Sequence, residues 1–363
     1  MNFAVEYVWL GGYDKNYTFT QPRYIKPYTI RSKTRILTAE KTSLNLEDIP
    51  VWNYDGSSTN QAKTDKSEVF ICPRKLFNNP FNSDMASYLV LCDTYVDLEC
   101  TKPHKTNTRA KANEIFNMKK EEEPWFGIEQ EFFLMSVHDG LPIGFDQLIP
   151  QGQFYCSVGS KNAFGREVIE RIVKCAFDAG IKLSGWNAEV APGQWEIQVG
   201  ILTGIDAADH LWMLRYIMER VTEDTAYYIE LHPKPIVIKH EPVTLEWELP
   251  DEWNGSGAHT NFSTKSMRNA GGIGAINQAI EKLATNHKKH IMSYGIGNEL
   301  RLTGRCETSS MDKFSFGIAD RKASVRIPTE TIHNNCGYIE DRRPSSLMDP
   351  YLVTSLLFST ICL

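Results

Sequence analysis

The stretch that decides the fold is residues 125–134, which read Trp-Phe-Gly-Ile-Glu-Gln-Glu-Phe-Phe-Leu. This run is apolar enough for a buried strand, yet it carries two carboxylates. Because side chains alternate along a strand, Glu129 and Glu131 share one face while Ile128 and Phe132 take the other. Two carboxylates in an apolar segment keep their charges only where a cation neutralises them. An edge strand with a solvated outer face is the alternative, and this run alone favours neither.

A second acidic segment favours a lined cavity over a solvated face. Residues 187–190, Asn-Ala-Glu-Val, lead through an Ala-Pro-Gly turn into residues 194–199, Gln-Trp-Glu-Ile-Gln-Val. This pattern predicts a hairpin whose second strand has glutamine and glutamate on one face and apolar side chains on the other. Glu189 is expected near Glu196 on the partner strand. Four glutamates on two such strands indicate a cavity.

Two further segments add polar side chains. Residues 254–263, Asn-Gly-Ser-Gly-Ala-His-Thr-Asn-Phe-Ser, place His259, Asn261 and Ser263 on one strand face, after glycines that let a ligand approach the backbone. Residues 338–344, Tyr-Ile-Glu-Asp-Arg-Arg-Pro, crowd opposite charges before a proline. Taken alone, His259 is more simply interpreted as a structural histidine, and the charges of residues 338–344 as a surface salt-bridge cluster.

Together the four segments supply the donor set of a metal site. Its members are Glu129, Glu131, Glu189, Glu196, Glu340 and His259. Carboxylates with a single imidazole suit Mg²⁺ or Mn²⁺ far better than zinc or copper. Six ligands are enough for two or three such ions, which commonly accompany ATP phosphates.

Arginines downstream complete the charge balance. They are Arg301, Arg321, Arg326 and Arg342. Guanidinium groups bind phosphate and carboxylate in a bidentate manner, so the set predicts phosphoryl transfer to an acidic substrate. Arg326 lies between two apolar residues and is expected to point from a partly buried strand. Ordinary ion pairs on strand edges explain any one of these arginines but not all four.

Composition excludes other classes of protein. The chain has 363 residues, 42% hydrophobic and 23% charged, which is typical of a globular protein with two domains. A net charge of −6 without a basic run argues against nucleic acid as a partner. No apolar stretch approaches the roughly 18 residues of a membrane helix, and no signal peptide is visible. Eight scattered cysteines predict reduced thiols and a cytoplasmic protein.

Local patterns divide the chain near residue 100. Short β-branched and aromatic runs such as residues 5–10 precede this point, and the polar run 101–108 follows it. Three helices are expected beyond. The first covers residues 165–180, with Phe177 on its buried face and Gly180 at its end. The second runs from an N-cap at Asp206 to about Leu231. The third covers residues 275–294, with His287 and His290 on a solvated face.

Six motifs in order resemble those of the eukaryotic-type (type II) glutamine synthetases. They span residues 55–59, 125–131, 187–198, 254–263, 301–308 and 340–344, which covers nearly the whole chain. The resemblance implies ATP-dependent ligation of ammonia to L-glutamate through γ-glutamyl phosphate, giving L-glutamine, ADP and phosphate. It implies an α+β fold with a small N-terminal β-grasp domain, residues 1–100. A larger C-terminal catalytic domain, residues 101–363, would hold a curved antiparallel sheet flanked by helices.

The resemblance also implies roles for individual residues. Glu131, Glu189 and Glu196 would hold the metal ion near glutamate, and Glu129, His259 and Glu340 the ion near the ATP phosphates. Glutamate and the transferring phosphate would be bound by Trp253, Asn254, Gly255, Arg301, Arg321 and Arg342. ATP would contact Glu129, Glu196, Asn261, Phe262, Ser263, Arg268, Arg321, Arg326 and Tyr338, with Arg268 and Tyr338 flanking the adenine.

The ammonium site and the assembly are implied in the same way. Asp55, with Ser58 and Tyr155 nearby, would take a proton from ammonium, while Glu307 would close over the site on a flap. Arg321 would join Asp55 and Glu307 as the third catalytic residue. Since Asp55 would complete a neighbour's site, the resemblance implies a homo-oligomer, typically a decamer of two five-membered rings.

Departures from the family pattern leave the ligand set complete. They are an insertion at residues 13–28, together with Ile201, Cys306 and Asp320 where proline, histidine and asparagine are usual. The last two are expected to change flap behaviour and glutamate affinity. Three rival hypotheses are a catalytically inactive structural relative, a ligase of the same fold that uses another amine, and a ring-forming structural protein. The complete metal and ammonium sites favour the synthetase.

Overall fold

The computed structural model describes residues 1–12, 29–82, 84–146, 151–235, 253–306 and 308–363. The insertion predicted at residues 13–28 and the flap residue Glu307 lie outside the described residues. Two sheets and a set of helices form the rest, which confirms the predicted α+β class.

Within the first ~100 residues, the described part of the chain forms a five-stranded sheet. Its strands are β1 (Asn2–Leu10), β2 (Ile30–Thr38), β3 (Trp52–Asp55), β4 (Glu68–Asn78) and β5 (Ser87–Tyr95). The order is β2-β1-β5-β4-β3, in which β1 and β5 are parallel and the other neighbours antiparallel. Phe3, Val5 and Tyr7 face a small core of this sheet's own, whereas Val8 and Leu89 on the opposite face join the main core.

The second sheet has eight strands among the residues that the structure describes. They are β6 (Trp125–Ser136), β7 (Leu183–Ala188), β8 (Gln194–Thr203), β9 (Tyr227–Glu230), β10 (Ala258–Ser263), β11 (Phe316–Ile318), β12 (Val325–Ile327) and β13 (Ile339–Asp341). Seven of them run in the order β11-β12-β13-β10-β6-β8-β7, and β9 pairs with the end of β6. All these pairs are antiparallel except β11 with β12.

Helices cover this sheet on one face. The α-helices are α1 (Thr108–Asn117), α2 (Arg166–Ala179), α3 (Ile205–Thr222), α4 (Lys265–Arg268), α5 (Ile273–Thr285), α6 (His287–Ile291), α7 (Asn298–Arg301), α8 (Thr329–His333) and α9 (Pro350–Cys362). Short 3-10 helices span Leu46–Asp48, Gly56–Thr59 and Lys120–Glu122. Ile128 and Phe132 of β6 are fully buried in the core with α2 and α3, which confirms the predicted alternation and leaves the acidic face free for a cavity.

The first predicted helix is confirmed with one exception. Residues 166–179 form α2, and Gly180, with φ of 86°, ends it. Phe177, however, is 53% exposed. The buried stripe of α2 continues through Ala176 and Ala179, which leaves Phe177 at its edge.

The second predicted helix is too long. Gly204, and not Asp206, is the residue before α3, and the helix ends at Thr222 instead of Leu231. The apolar residues that extended the prediction form β9, which pairs with β6. Pairing with a long buried strand therefore overrides the helical periodicity of this segment.

The third predicted helix, residues 275–294, is two helices, α5 and α6, separated at Asn286. The solvated face predicted for His287 and His290 is wrong, since both side chains are buried. The His290 ring nitrogens lie 2.5 Å from the Tyr294 hydroxyl and 2.9 Å from that of Thr360. Polar partners inside the fold replace water for these rings.

Among the described residues, no helix combines the length and the apolar character needed to cross a bilayer.

Candidate active site

Strand pairing brings the acidic residues of β6 and β8 side by side. Because β6 lies between β10 and β8, Glu129 is opposite His259 on one side and Gln198 on the other. Glu131 is opposite Glu196. Directly opposed residues of antiparallel strands have Cβ atoms about 4.5–5.5 Å apart. The sheet itself therefore assembles the acidic face that alternation predicts.

Glu189 joins this face from the turn that follows β7. Its Oε1 accepts a hydrogen bond from Asn187 Nδ2 at 3.1 Å, and its Oε2 accepts one from the Val190 backbone at 3.1 Å. Glu131, Glu189 and Glu196 each offer an oxygen, and these atoms lie within 4.8 Å of one another. The hairpin predicted for this segment is confirmed, but Glu189 lies just beyond the end of β7 and not on the strand.

A second cluster adjoins the first. Glu129, Glu196 and His259 offer ligand atoms that also lie within 4.8 Å of one another. Nδ1 of His259 is 3.2 Å from Oε2 of Glu129 and 3.8 Å from Oε1 of Glu340. Glu196 belongs to both clusters, so one carboxylate joins them. Oxygen-rich sets with one imidazole fit hard divalent cations, and the side chains present here satisfy that requirement.

Burial sets the protonation of both clusters. It raises the pKa of Glu131, Glu189 and Glu196 to about 8 each, and neighbouring carboxylates add to the shift. Burial also raises the pKa of Glu129. It lowers the pKa of His259 well below its ordinary value, so the imidazole is neutral and keeps a lone pair for a cation. Without a cation, these carboxylates share protons at neutral pH.

Arginines surround Glu340 on β13. Its Oε2 accepts a hydrogen bond from Arg326 at 2.9 Å, and its Oε1 accepts one from Arg342 at 2.5 Å. Arg326 is partly exposed on β12, as the sequence predicts. Arg301 is buried, and its NH2 donates to the backbone carbonyls of Arg342, Arg343 and Pro344. Burial lowers the pKa of Arg301 to about 10.

A cavity of about 300 Å³ holds most of the predicted site residues. From the predicted set it is lined by Glu129, Glu131, Tyr155, Glu189, Glu196, Asn254, Gly255, His259, Arg301, Arg321, Arg326, Glu340 and Arg342. Arg321 also lies over the Tyr155 ring, with 5.8 Å between the guanidinium carbon and the ring centroid. Segments that are more than 200 residues apart in sequence thus meet in one polar space.

A second cavity of about 360 Å³ has mostly apolar walls. From the predicted set it is lined by Glu129, Asn261, Phe262, Ser263, Arg268 and Tyr338. Arg268 stacks on Trp125, with its guanidinium carbon 3.8 Å from the ring centroid. Glu129 and Gln198 line both cavities, so the two spaces adjoin. This arrangement suits a ligand with a flat apolar end and an anionic end.

Other predicted residues lie elsewhere. Asp55 and Ser58 are not among the described residues that line either cavity. The Asp55 carboxylate accepts hydrogen bonds from Ser57 and Ser58, which lower its pKa, and the group is exposed. Trp253 is buried next to Phe145, with ring centroids 4.9 Å apart, and is likewise not among the described lining residues.

The site also contains residues that the sequence did not single out. Asn187 and Gln198 line the polar cavity and donate hydrogen bonds to Glu189 and Glu196. Trp125 lines the apolar cavity. For Gln198 a usable signal existed, because alternation already places it on the same strand face as Glu196.

Comparisons with known proteins identify the family to which this chain is similar. Residues 105–271 match the family model described as glutamine synthetase, catalytic domain. The chain is 48% identical over 359 residues to a putative glutamine synthetase of Acanthamoeba polyphaga mimivirus, which covers 99% of this chain and 94% of the relative. It is 45% identical over 360 residues to the glutamine synthetase cytosolic isozyme 1-1 of Oryza sativa subsp. japonica, and the match covers 98% of this chain and 92% of the relative. It is 46% identical over 363 residues to the chloroplastic glutamine synthetase of Brassica napus, and the match covers 99% of this chain and 78% of the relative.

Near-complete coverage at this identity excludes a match confined to one shared module. The residues of both acidic clusters also lie in three of the six motifs that carry the resemblance. The chain therefore belongs to the glutamine synthetase family, as a eukaryotic-type member.

Proposed function

We propose that this chain catalyses the ATP-dependent ligation of ammonia to L-glutamate, with release of L-glutamine, ADP and phosphate. The observation that carries this function is the polar cavity, in which two groups of metal-ligating side chains share Glu196 and face a set of arginines. A carboxylate is a poor electrophile, and transfer of the ATP γ-phosphoryl group to glutamate would convert it to reactive γ-glutamyl phosphate. Ammonia would then displace the phosphate.

The family uses a divalent metal, which we propose is Mg²⁺ or Mn²⁺, with two or three ions per site. Glu131, Glu189 and Glu196 would hold one ion, and Glu129, His259 and Glu340 another. When bound, such ions neutralise the charge on the ATP phosphates and on the transferring group. The oxygen-rich donors and the neutral His259 support this assignment.

Arginines and backbone groups of the same cavity would position the acidic substrate. We assign glutamate and the transferring phosphate to Arg301, Arg321 and Arg342, with the backbone at Asn254 and Gly255. Buried Trp253 would support that backbone from behind. Carbonyl groups hold Arg301 in place, so its guanidinium loses little freedom when it binds an anion.

The apolar cavity is the proposed position of the ATP base and sugar. Arg268 and Tyr338 would flank the adenine, and the strand β10 would contribute three further contacts through Asn261, Phe262 and Ser263. Arg326 would contact the phosphates where the two cavities adjoin. The apolar walls and the stacked pair of Arg268 and Trp125 support a planar ligand here.

Ammonium would be bound by Asp55 and Ser58 of a neighbouring subunit, facing Tyr155. Ammonium has no lone pair, so a carboxylate has to attract it and remove a proton. Hydrogen bonds lower the pKa of Asp55, which supports an ionised acceptor at neutral pH. We therefore propose a homo-oligomer, with ten subunits in two rings as its form. Glu307 would close over the cavity and exclude water from the acyl phosphate.

Two further assignments complete the proposal. Residues 1–100 would be the N-terminal β-grasp domain and residues 101–363 the catalytic domain, which the separate small core of the first sheet supports. We propose a cytoplasmic location. The scattered free cysteines support it, and the relatives include both a cytosolic and a chloroplastic protein.

Phosphate release tests the function directly. We expect release from ATP with Mg²⁺ and glutamate to depend on ammonium, to be matched by glutamine, and to fall sharply in Glu307→Ala. Release with another amine but not with ammonium would instead identify an amine ligase. An intact oligomer that binds metal but releases no phosphate would refute the enzyme hypothesis.

A further inference from the structure

Amide side chains contact two of the carboxylates proposed to bind metal. Gln198 Nε2 donates a hydrogen bond to Glu196 Oε1 at 2.7 Å. Asn187 Nδ2 donates one to Glu189 Oε1 at 3.1 Å. All four residues line the polar cavity. An ionised carboxylate has about four lone-pair sites, so one such bond restricts its orientation and leaves other sites for a cation.

The same arrangement recurs on β10. Asn261 Nδ2 donates to Glu129 Oε1 at 2.8 Å. Glu131 uses a backbone donor instead, because the Gly257 N–H lies 2.7 Å from its Oε2. Neutral donors thus hold four of the five glutamates. A lysine or arginine in their place would neutralise the carboxylate and compete with a metal ion, whereas an amide orients it without adding charge.

The β7–β8 hairpin leaves space for the Gln198 amide. Gly185 pairs with Gln198 across the ladder, and Asn187 pairs with Glu196. A Cβ atom on Gly185 would lie only 2.9 Å from Gln198 Oε1. Any side chain at residue 185 would therefore displace the amide or be displaced by it. This backbone feature is independent of the hydrogen bonds and acts on the same group.

We propose that Gln198 and Asn187 are positioning residues, which hold the carboxylates of Glu196 and Glu189 in the orientations that bind the divalent ion. The inference rests on the proposed metal role of these two glutamates and extends it to the residues behind them. Outer partners of metal ligands typically contribute about 10- to 100-fold to metal affinity. Gln198 also lines the apolar cavity, so direct contact with the nucleotide is the competing role.

Metal binding without nucleotide separates the two roles. The experiment measures Mn²⁺ affinity of the purified oligomer by the loss of the free-ion paramagnetic resonance signal, with ATP and glutamate absent. Gln198→Met and Asn187→Leu remove the amides at nearly constant size. Gln278→Met, on the exposed face of α5, controls for the chemical change itself, and Glu196→Gln serves as the reference for loss of a ligand.

We expect Gln198→Met and Asn187→Leu each to weaken Mn²⁺ binding about 10- to 100-fold, and Gln278→Met to have no effect. In turnover assays, saturating metal should restore most of kcat while the metal concentration for half activity stays raised. Gly185→Ala should weaken Mn²⁺ binding to a smaller degree. It should add nothing in the Gln198→Met background, because the group that it displaces is already gone.

The outcomes distinguish this inference from the proposed function. If Glu196→Gln weakens Mn²⁺ binding and the amide variants do not, the positioning role is refuted and the metal assignment stands. If Glu196→Gln itself leaves Mn²⁺ binding unchanged, both fail. A raised KM for ATP in Gln198→Met with unchanged Mn²⁺ affinity would overturn the inference in favour of a nucleotide contact.

Discussion

Glu196→Gln is expected to stabilise the metal-free protein and to destabilise the metal-bound one. Glu196 is the carboxylate common to both clusters, and ligand atoms in each cluster lie within 4.8 Å of one another. Two ionised carboxylates at that separation repel by about 3.5 kcal/mol at an effective dielectric constant of about 20. Replacing Glu196 removes this repulsion toward Glu131 and Glu189 together.

The pKa of Glu196 gives a second measure of the free energy that its buried charge costs. Burial and neighbouring carboxylates raise the pKa of Glu196 to about 8 from an ordinary value of 4.5. Because the native state binds the proton more tightly than the unfolded state, stability falls as pH rises from about 4.5 to 8 and the full penalty applies above 8. At about 1.4 kcal/mol for each pKa unit, the penalty is roughly 5 kcal/mol. We expect about 3 kcal/mol to be recovered, since the buried glutamine amide also loses water.

The assay is thermal unfolding near pH 8.5, first with a chelator and then with Mg²⁺ in excess. With the chelator, Glu196→Gln should unfold at a higher temperature than the natural chain. A metal at about 1,000 times its dissociation constant stabilises the natural chain by about 4.1 kcal/mol, which exceeds the advantage of about 3 kcal/mol that the variant has without metal; because the variant should lose most of this gain, the order reverses. Glu281→Gln, on the exposed face of α5, is the matched control. The reasoning would be refuted if the variant were less stable than the natural chain in chelator, or if Mg²⁺ stabilised it as much as it stabilises the natural chain.

Three more perturbations probe other parts of the molecule. Arg343→Met should lower the free energy of unfolding, measured with denaturant, by about 3–5 kcal/mol, because it leaves Asp341 buried without its bidentate partner. Replacing both Arg343 and Asp341 by apolar residues should restore much of this stability. An equal loss in the single and the double variant would contradict the prediction. Burial lowers the pKa of His290 to about 3, so the unfolded state alone takes the proton below pH 6.5. Stability should therefore fall by about 2 kcal/mol between pH 6.5 and 5, and a similar loss in His290→Gln would exclude this cause. If active sites are shared between subunits, mixed oligomers of inactive Asp55→Asn chains and inactive Glu131→Gln chains should recover part of the activity. The measurement is ammonium-dependent phosphate release. Well-formed mixed oligomers that stay inactive would argue against shared sites.

Strand alternation is the reason that much of the site was predictable. A period of two residues places Glu129 with Glu131, and Glu196 with its flanking glutamines, whatever the rest of the chain does. The structure keeps both faces as predicted, with apolar partners such as Ile128 and Trp195 in the core. Local periodicity thus determined which side chains share a face.

Periodicity could not predict which strands become neighbours. The β6 strand lies between β8 and β10, and this long-range pairing alone puts Glu131 opposite Glu196 and Glu129 opposite His259. Nothing in residues 125–134 specifies those partners. The family resemblance supplied the grouping, and the roles of the individual residues remain proposals.

The wrong predictions arose where a local pattern had two physical solutions. Lysines beside His287 and His290 indicate a solvated helix face, yet the two rings bury themselves against partners contributed by other elements. The segment up to Leu231 has apolar residues that fit a helix, and pairing with β6 makes part of it a strand instead. In both cases tertiary contacts overrode the local pattern.

The partners of the glutamates separate them into two kinds. Glu340 has an arginine on each oxygen, so the protein itself neutralises its charge. Glu189 and Glu196 have amide partners, which orient a carboxylate but leave its charge in place. A buried charge without a counter-charge is unfavourable, and the pKa values near 8 express that cost as bound protons. We expect protons to occupy Glu189 and Glu196 until a divalent cation replaces them, whereas Glu340, which we also assign to an ion, already has two arginines as counter-charges.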